Sequence, residues 1–597
     1  MIYQKTIKSI EFDKILSFVA EKAVLNNTKE NLLNFEPKNN LQEVKLLLAK
    51  TKESYDLLYK YSVSGIYFVT DVEDALLRSE KGGTLNTREI LDIAEALRGA
   101  RILKTSIEKV NDVNIKYIPE IASRLFINQE FEKEVSTKIL SEDKISDNAS
   151  PKLYSIRKSI VNLNAKIREQ LSSYMHGSMG KYLQDNVVTV RQDRYVIPVK
   201  SEYKSFVKGF VHDQSSTGST VFIEPEMVME LNNQLKTATI EESEEIHRIL
   251  AELSHKVTFM ADGIRYNYEN IAEIDEFYAR AIYSFENKYT YPNVNDKGIF
   301  DIKKGRHPLI DKNKVVPITY NFGEDYNFLL ITGPNTGGKT VTLKLTGLIA
   351  LMVMSGIFVP CEEDSTVSIF SDVFCDVGDE QSIEQSLSTF PSHITNIINI
   401  VNNCNEKSLV LIDEIGAGTD PEEGSALALA IIEKLLEKNC FGIITTHYSK
   451  LKEFASSGTR IKNASMEFNP VSLKPMYKIN IGIPGSSNAI EIAKTLGLNN
   501  EIINKSISYL SDKKISFENV LKSAEESRRE AEKVTEELNK LKEEKEILLK
   551  NIQEEKDKIV FERERIYREA MSETKRIVSE KLCEAEEIID ELKSILK

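Results

Sequence analysis

The run from Asn327 to Met354, NFLLITGPNTGGKTVTLKLTGLIALMVM, limits what this chain can fold into more than any other segment. An apolar stretch enters a glycine-rich loop and leaves into a second apolar stretch of helical length. The loop, Gly333-Pro334-Asn335-Thr336-Gly337-Gly338-Lys339-Thr340, fits the pattern G-x-x-x-x-G-K-[ST]. Glycines let successive backbone N–H groups converge on one anion, and the start of a helix already favours negative charge. Lys339 is expected to reach the β- and γ-phosphates of a nucleotide, and the Thr340 hydroxyl to sit on Mg²⁺. A strand–loop–helix of this kind belongs in a parallel sheet covered by helices.

The neighbouring sequence supplies that sheet. NFLLIT, SLVLID and FGIITT are predicted strands, with helices at roughly 339–355, 392–404 and 424–438. Their apolar residues are continuous rather than alternating, as in strands buried on both faces. The second run ends in Asp413 and Glu414, so two carboxylates stand at the C-terminal edge of a buried strand, where ligands bind in such sheets. Without a function that placement is costly. Asp413 is expected in the Mg²⁺ shell, and Glu414 is expected to orient or deprotonate an attacking water. The third strand ends in TTHYS, which aims His447 at the same edge as a γ-phosphate contact.

The remainder divides by texture. EFDKILSFVAEKA places Phe12, Ile15, Leu16 and Val19 on one helical face, and Asn86 or Thr87 is a plausible N-cap for the helix after Gly82-Gly83. Helical core is expected over 1–150 and again, as a returning core and lever, over 241–296. Between them, 151–240 reads as two helical arms carrying a β-rich tip near 183–226, because NVVTVRQDRYVIPVK and GFVHDQSSTGSTVFIEP are β-branched and broken by turn residues. The α/β domain is expected over 297–512. From 513 to 597 Glu, Lys and Arg dominate, and Val534, Leu538, Leu541, Leu548, Ile552, Ile559 and Ile566 recur as an interrupted coiled-coil seam.

Charge and cysteine content narrow the classes. A net charge of −14 argues against coating nucleic acid by bulk charge, though a local basic groove remains open. Five scattered cysteines lack metal-type spacing and read as reduced thiols. No window approaches the apolar length of a membrane span, and the start lacks a signal-peptide core, so no membrane partner and a cytoplasmic location are expected.

TGPNTGGKT, DVGDEQSIEQSLSTFPSHI, LVLIDEIGAGTDPEEGSALALA and TTHYSKLKEFA together closely resemble the ATPase domain of MutS-type proteins, and RHPLI (Arg306 to Ile310) matches as well. RYVIPVK and HDQSSTGSTVFIEP resemble the second bacterial branch of that family, which lacks the mismatch-binding domain. The resemblance spans essentially the whole chain. It implies an α/β ATPase of the ABC superfamily joined to a helical core with levers, a small β-rich clamp and a coiled coil. It implies ATP and Mg²⁺ as cofactors and a homodimer in which Ser388 and neighbouring Thr389 reach the partner's γ-phosphate. Asp420 would lie in the loop coupling the two nucleotide sites. The clamp would close on structured nucleic acid, either branched DNA, suppressing recombination, or stalled and collided ribosomes, splitting them. Its basic residues Arg191, Arg194, Lys200, Lys204 and Lys208, interleaved with Tyr195, Tyr203 and Phe206, either contact phosphates or form a solvated hairpin.

Mismatch recognition is not expected, because about 330 residues before the phosphate loop leave no room for that domain. The small C-terminal Smr nuclease-type domain usual in this branch is not found, so endonuclease activity is not assigned to these residues. Two other classes compete: a DNA-bridging structural ATPase of SMC type, and a scaffold that binds ATP without turnover. The first calls for a Leu-Ser-Gly-Gly-Gln signature and an N-terminal phosphate loop, whereas this chain has SLSTF and a central one.

Overall fold

The computed structural model describes residues 4–67, 70–333, 337–378, 389–458, 460–469, 474–485, 490, 493–494, 496–509 and 512–595. It separates into two units, one of residues 1–468 with 475–481 and one of 469–474 with 482–597.

The first unit begins with helices α1 (Gln4–Ser9), α2 (Phe12–Ala20), α3 (Asn26–Leu33) and α4 (Leu41–Tyr55), followed by α5 (Glu73–Glu80), α6 (Thr87–Glu108), α7 (Tyr117–Ser123) and α8 (Gln129–Lys138). The face predicted for α2 is the buried one: Phe12, Ile15, Leu16 and Val19 all enter the core. α6 starts at Asn86, whose side chain accepts from the Glu89 amide while Glu89 reaches back, a reciprocal cap that satisfies two otherwise orphan donors. A two-stranded ribbon, β1 (Ile139–Ser141) and β2 (Lys144–Ile145), precedes the arms.

The arms are α9 (Pro151–His176) and α10 (Glu226–Thr258), which pack along each other. α9 is started by the Ser150 hydroxyl and by Pro151 in its first turn. Between the arms lies an antiparallel sheet of β3 (Thr189–Arg191), β4 (Arg194–Lys200), β5 (Gly209–Gln214) and β6 (Thr220–Pro225), in spatial order β3-β4-β6-β5. Ile197, Val199, Val221 and Ile223 of this sheet share one buried cluster with Leu163, Ile167 and Leu171 of α9 and with Val228 and Leu235 of α10. The β-rich tip is thereby rooted on both arms. α11 (Ala261–Glu286) then returns to pack on α4.

The α/β part follows. A mixed sheet, in order β7-β11-β8-β9, is made of β7 (Asn293–Asn295), β8 (Phe300–Gly305), β9 (Ile318–Phe322) and β11 (Thr366–Ser368). The central sheet runs β12-β13-β14-β10-β15-β16 and comprises β10 (Phe328–Thr332), β12 (Asp372–Asp376), β13 (Ser408–Ile412), β14 (Phe441–Thr446), β15 (Ile461–Asn469) and β16 (Lys474–Ile481). β12, β13, β14, β10 and β15 run parallel to one another. Every residue of β10 and β13 is buried, which is why their sequences show no alternation. Helices α12 (Lys339–Met354), α13 (Thr389–Asn403), α14 (Pro421–Glu437) and α15 (Ser449–Ser457) complete the layers.

The helical part grips the far end of α12. Arg280 of α11, fully buried between the rings of Phe35 and Phe277, donates through Nε to the Ser355 carbonyl at 2.9 Å. Thr51 Oγ1 donates to Gly356 O at 2.7 Å, and the Lys38 amide to Met354 O at 2.8 Å. These bonds satisfy carbonyls that a helix end leaves without partners.

In the second unit, helix Asn500–Ser508 precedes a helix of 84 residues, Asp512–Ile595. Val534, Leu538, Leu541, Leu548, Ile552, Ile559 and Ile566 are all exposed along it. Among the described residues no helix is long and apolar enough to cross a membrane.

Candidate nucleotide site

The site grows from the junction of β10 with α12. Gly333 and Gly338 adopt φ of +130° and +99°, which L side chains rarely reach. A Cβ on Gly338 would also stand 3.0 Å from the Tyr477 ring. Lys339, almost wholly buried, places Nζ 2.9 Å from Gly333 O and 3.9 Å from the Glu414 carboxylate. Burial lowers the Lys339 pKa, and the Glu414 and Asp413 carboxylates oppose that shift.

Asp413 is the hub. The parallel register of β13 beside β14 sets Ile412 against Ile444, so the residues that follow, Asp413 and Thr445, meet at the same sheet edge. Thr340 Oγ1 donates to Asp413 Oδ2 at 2.6 Å, and Thr445 Oγ1 donates to Oδ1. The Thr445 hydroxyl also accepts the Glu414 amide at 2.8 Å. Glu414 itself has φ of +48°, a left-handed conformation that costs a non-glycine residue on the order of 1–3 kcal/mol. The Ile415 amide on Thr445 O, at 3.1 Å, helps hold it there.

Among the described residues no three His, Cys, Asp or Glu side chains converge as a metal cage. A hydroxyl and one carboxylate 2.6 Å apart fit a hard cation that takes its other oxygens from phosphate and water, as Mg²⁺ does.

A model of MutS domain V matches residues 329–513. The protein named Endonuclease MutS2 from Clostridium perfringens strain SM101 is 45 % identical over 529 residues, covering 88 % of this chain and 67 % of that one. Its namesake from Clostridium botulinum strain Alaska E43 is 43 % identical over 548 residues, covering 92 % and 70 %. That from Clostridium acetobutylicum is 44 % identical over 551 residues, covering 91 % and 70 %. The chain belongs to the MutS family, in its MutS2-type branch.

Within this MutS domain V the remaining expected residues fall into different settings. His447 follows β14 with its ring 4.4 Å from that of Tyr448, and partial burial lowers its pKa. Asp420 caps α14, accepting the Glu422 and Glu423 amides at 2.9 and 3.2 Å. Gly337 lies at the start of the turn into α12. Pro334, Asn335, Thr336 and Ser388 lie outside the described residues, and Thr389 opens α13.

Sequence reasoning missed Thr445 and the anchor of α13. Asp376, at the end of β12, accepts from Asn396 at 2.8 Å and pairs with His393 at 2.9 Å. The Asp376 carboxylate raises the His393 pKa. The signal for Thr445 was present, since TT is a polar pair ending a buried apolar strand.

In the β-rich module Arg194 is committed inside the fold, donating to Glu224 at 2.7 Å and to Asn233 at 2.5 Å. Arg191 lies 3.3 Å from Asp213 with its guanidinium over the Phe222 ring. Lys204 and Lys208 are exposed, and Lys200 is half-buried.

Proposed function

We propose that this chain is an ATPase that binds ATP with Mg²⁺ and couples its hydrolysis, as a homodimer, to closing on structured nucleic acid. The observation that carries this is the Thr340–Asp413–Thr445 array, with Glu414 beside Lys339 at 3.9 Å. Thr340 and Asp413 would hold Mg²⁺, which supplies charge neutralisation for the terminal phosphates. Lys339 binds the β- and γ-phosphates. Glu414 holds a water in line with the γ-phosphorus and accepts its proton as the bond to the leaving oxygen breaks. His447, whose pKa burial lowers, contacts the γ-phosphate from the end of β14. Ser388 is assigned to the partner's nucleotide on the strength of the family resemblance.

MutS-type proteins act on DNA and often as dimers. For this chain the exposed lysines of the module are the candidate phosphate contacts, and branched DNA and ribosomes are the two proposed targets. Steady-state phosphate release by Lys339→Ala and Glu414→Gln tests the ATPase: both should lose turnover, with Glu414→Gln still retaining ATP on a filter. Wild-type protein with no turnover at saturating MgATP refutes it. Junction-DNA binding without polysome co-sedimentation would remove the ribosomal target.

A further inference from the structure

The module between the arms carries aromatic surface that its own fold does not bury. Phe206 is 56 % exposed and Phe210 61 %, although Val207 between them is buried. Phe206 stacks on Tyr182, with ring centroids 5.3 Å apart and planes 17° apart, and Tyr203 lies 5.2 Å from Tyr182. Tyr182 and Tyr203 pack on the module's core, so Phe206 is the outermost ring of a rooted stack. Lys181 lies over Tyr182 at 4.9 Å, and Lys204 and Lys208 flank Phe206 in sequence. In a chain of net charge −14, an exposed ring with exposed lysines two residues to either side in sequence is complementary to a flat, apolar group attached to an anion.

We infer that Phe206, backed by Tyr182 and Tyr203, is a stacking platform for an unpaired base, with Lys204 and Lys208 on the adjoining phosphates. Every base presents a π face, so such a platform is tolerant of sequence and selects unpaired over paired strands. The inference deepens the nucleic-acid part of the function proposed above and rests on it. It names single-stranded or splayed nucleotides as the ligand.

The test uses the full chain with labelled oligo-dT, oligo-rU and a blunt duplex of matching length. Phe206→Ala should weaken single-strand binding about 5- to 150-fold, with duplex binding and the salt slope unchanged. Lys204→Ala with Lys208→Ala should weaken all three and flatten the single-strand salt slope by about 0.7 per lysine. The chain has no tryptophan, so Phe206→Trp installs a single reporter that should keep binding and be quenched by the single strand. The dT and rU arms separate DNA from RNA as the source. Unchanged single-strand affinity in Phe206→Ala, an equal loss on duplex, or an unmoved Trp emission overturns the platform. Wild-type binding on the same probes separates the two failures: wild-type protein that binds neither single strands nor duplex refutes the nucleic-acid reading itself, while wild-type binding with an indifferent Phe206→Ala refutes only the platform.

Discussion

Thr445→Val removes one oxygen from the centre of the site while keeping its shape. The hydroxyl is wholly buried, donates to Asp413 and accepts the Glu414 amide at 2.8 Å. Losing a hydrogen bond to a charged acceptor costs about 1.5–3 kcal/mol, and a desolvated amide left without a partner costs about 1–3 kcal/mol. The two share one atom and are not additive, so about 2–4 kcal/mol is the expected total. Part of that falls on the folded state and part on catalysis, because Asp413 loses its second anchor and Glu414 loses a restraint on a left-handed backbone. If half reaches the transition state, kcat falls roughly 5- to 30-fold, since about 1.4 kcal/mol is tenfold. Thr445→Ser keeps the hydroxyl and should stay within a few-fold of wild type. Phosphate release against Mg²⁺ concentration reads both: the valine variant should also need more Mg²⁺. Wild-type kcat and Mg²⁺ dependence in Thr445→Val would refute the hub.

Gly338→Ala should abolish ATP binding in equilibrium dialysis, because φ of +99° and a 3.0 Å approach to Tyr477 together distort the loop; wild-type affinity would contradict this. Arg280→Met leaves the Ser355 carbonyl without its buried donor, so the urea midpoint should drop by the equivalent of about 1–3 kcal/mol. An unchanged midpoint would show that the grip on α12 adds no stability. Burial depresses the His307 pKa from 6.5 to about 4. The folded state therefore binds fewer protons than the unfolded one, and stability present above pH 6.5 is lost as pH falls toward 4, on the order of 3 kcal/mol at the lower end. Urea titrations of His307→Asn should show a flatter loss over that window, and an NMR titration of His307 above pH 6 would sink the idea.

Elements whose chemistry is local could be read from the chain. β10, β13 and β14 follow from unbroken apolar runs, α12 from a glycine loop opening an apolar helix, and the start of α6 from Asn86 and Glu89 three residues apart. Side chains that meet across strands could not. Thr445 is 32 residues from Asp413, and only the parallel register of β13 and β14 makes them neighbours. The withdrawal of Arg194 is of the same kind, because pairing between β4 and β6 brings Glu224 within 2.7 Å of a residue that looked like a surface cation.

The amino-acid order alone determined where a glycine-rich strand-to-helix loop, two strand-end carboxylates and a heptad-like pattern of apolar residues lie, since each depends on the spacing of residues a few positions apart. The tertiary structure decided which groups act as one: Asp413 with Thr340 and Thr445, Arg280 with the end of α12, and Phe206 at the outside of an aromatic stack. The reason is physical. A hydrogen bond or a ring contact needs atoms within a few ångströms, and for residues far apart in sequence that distance is set by strand register and helix packing.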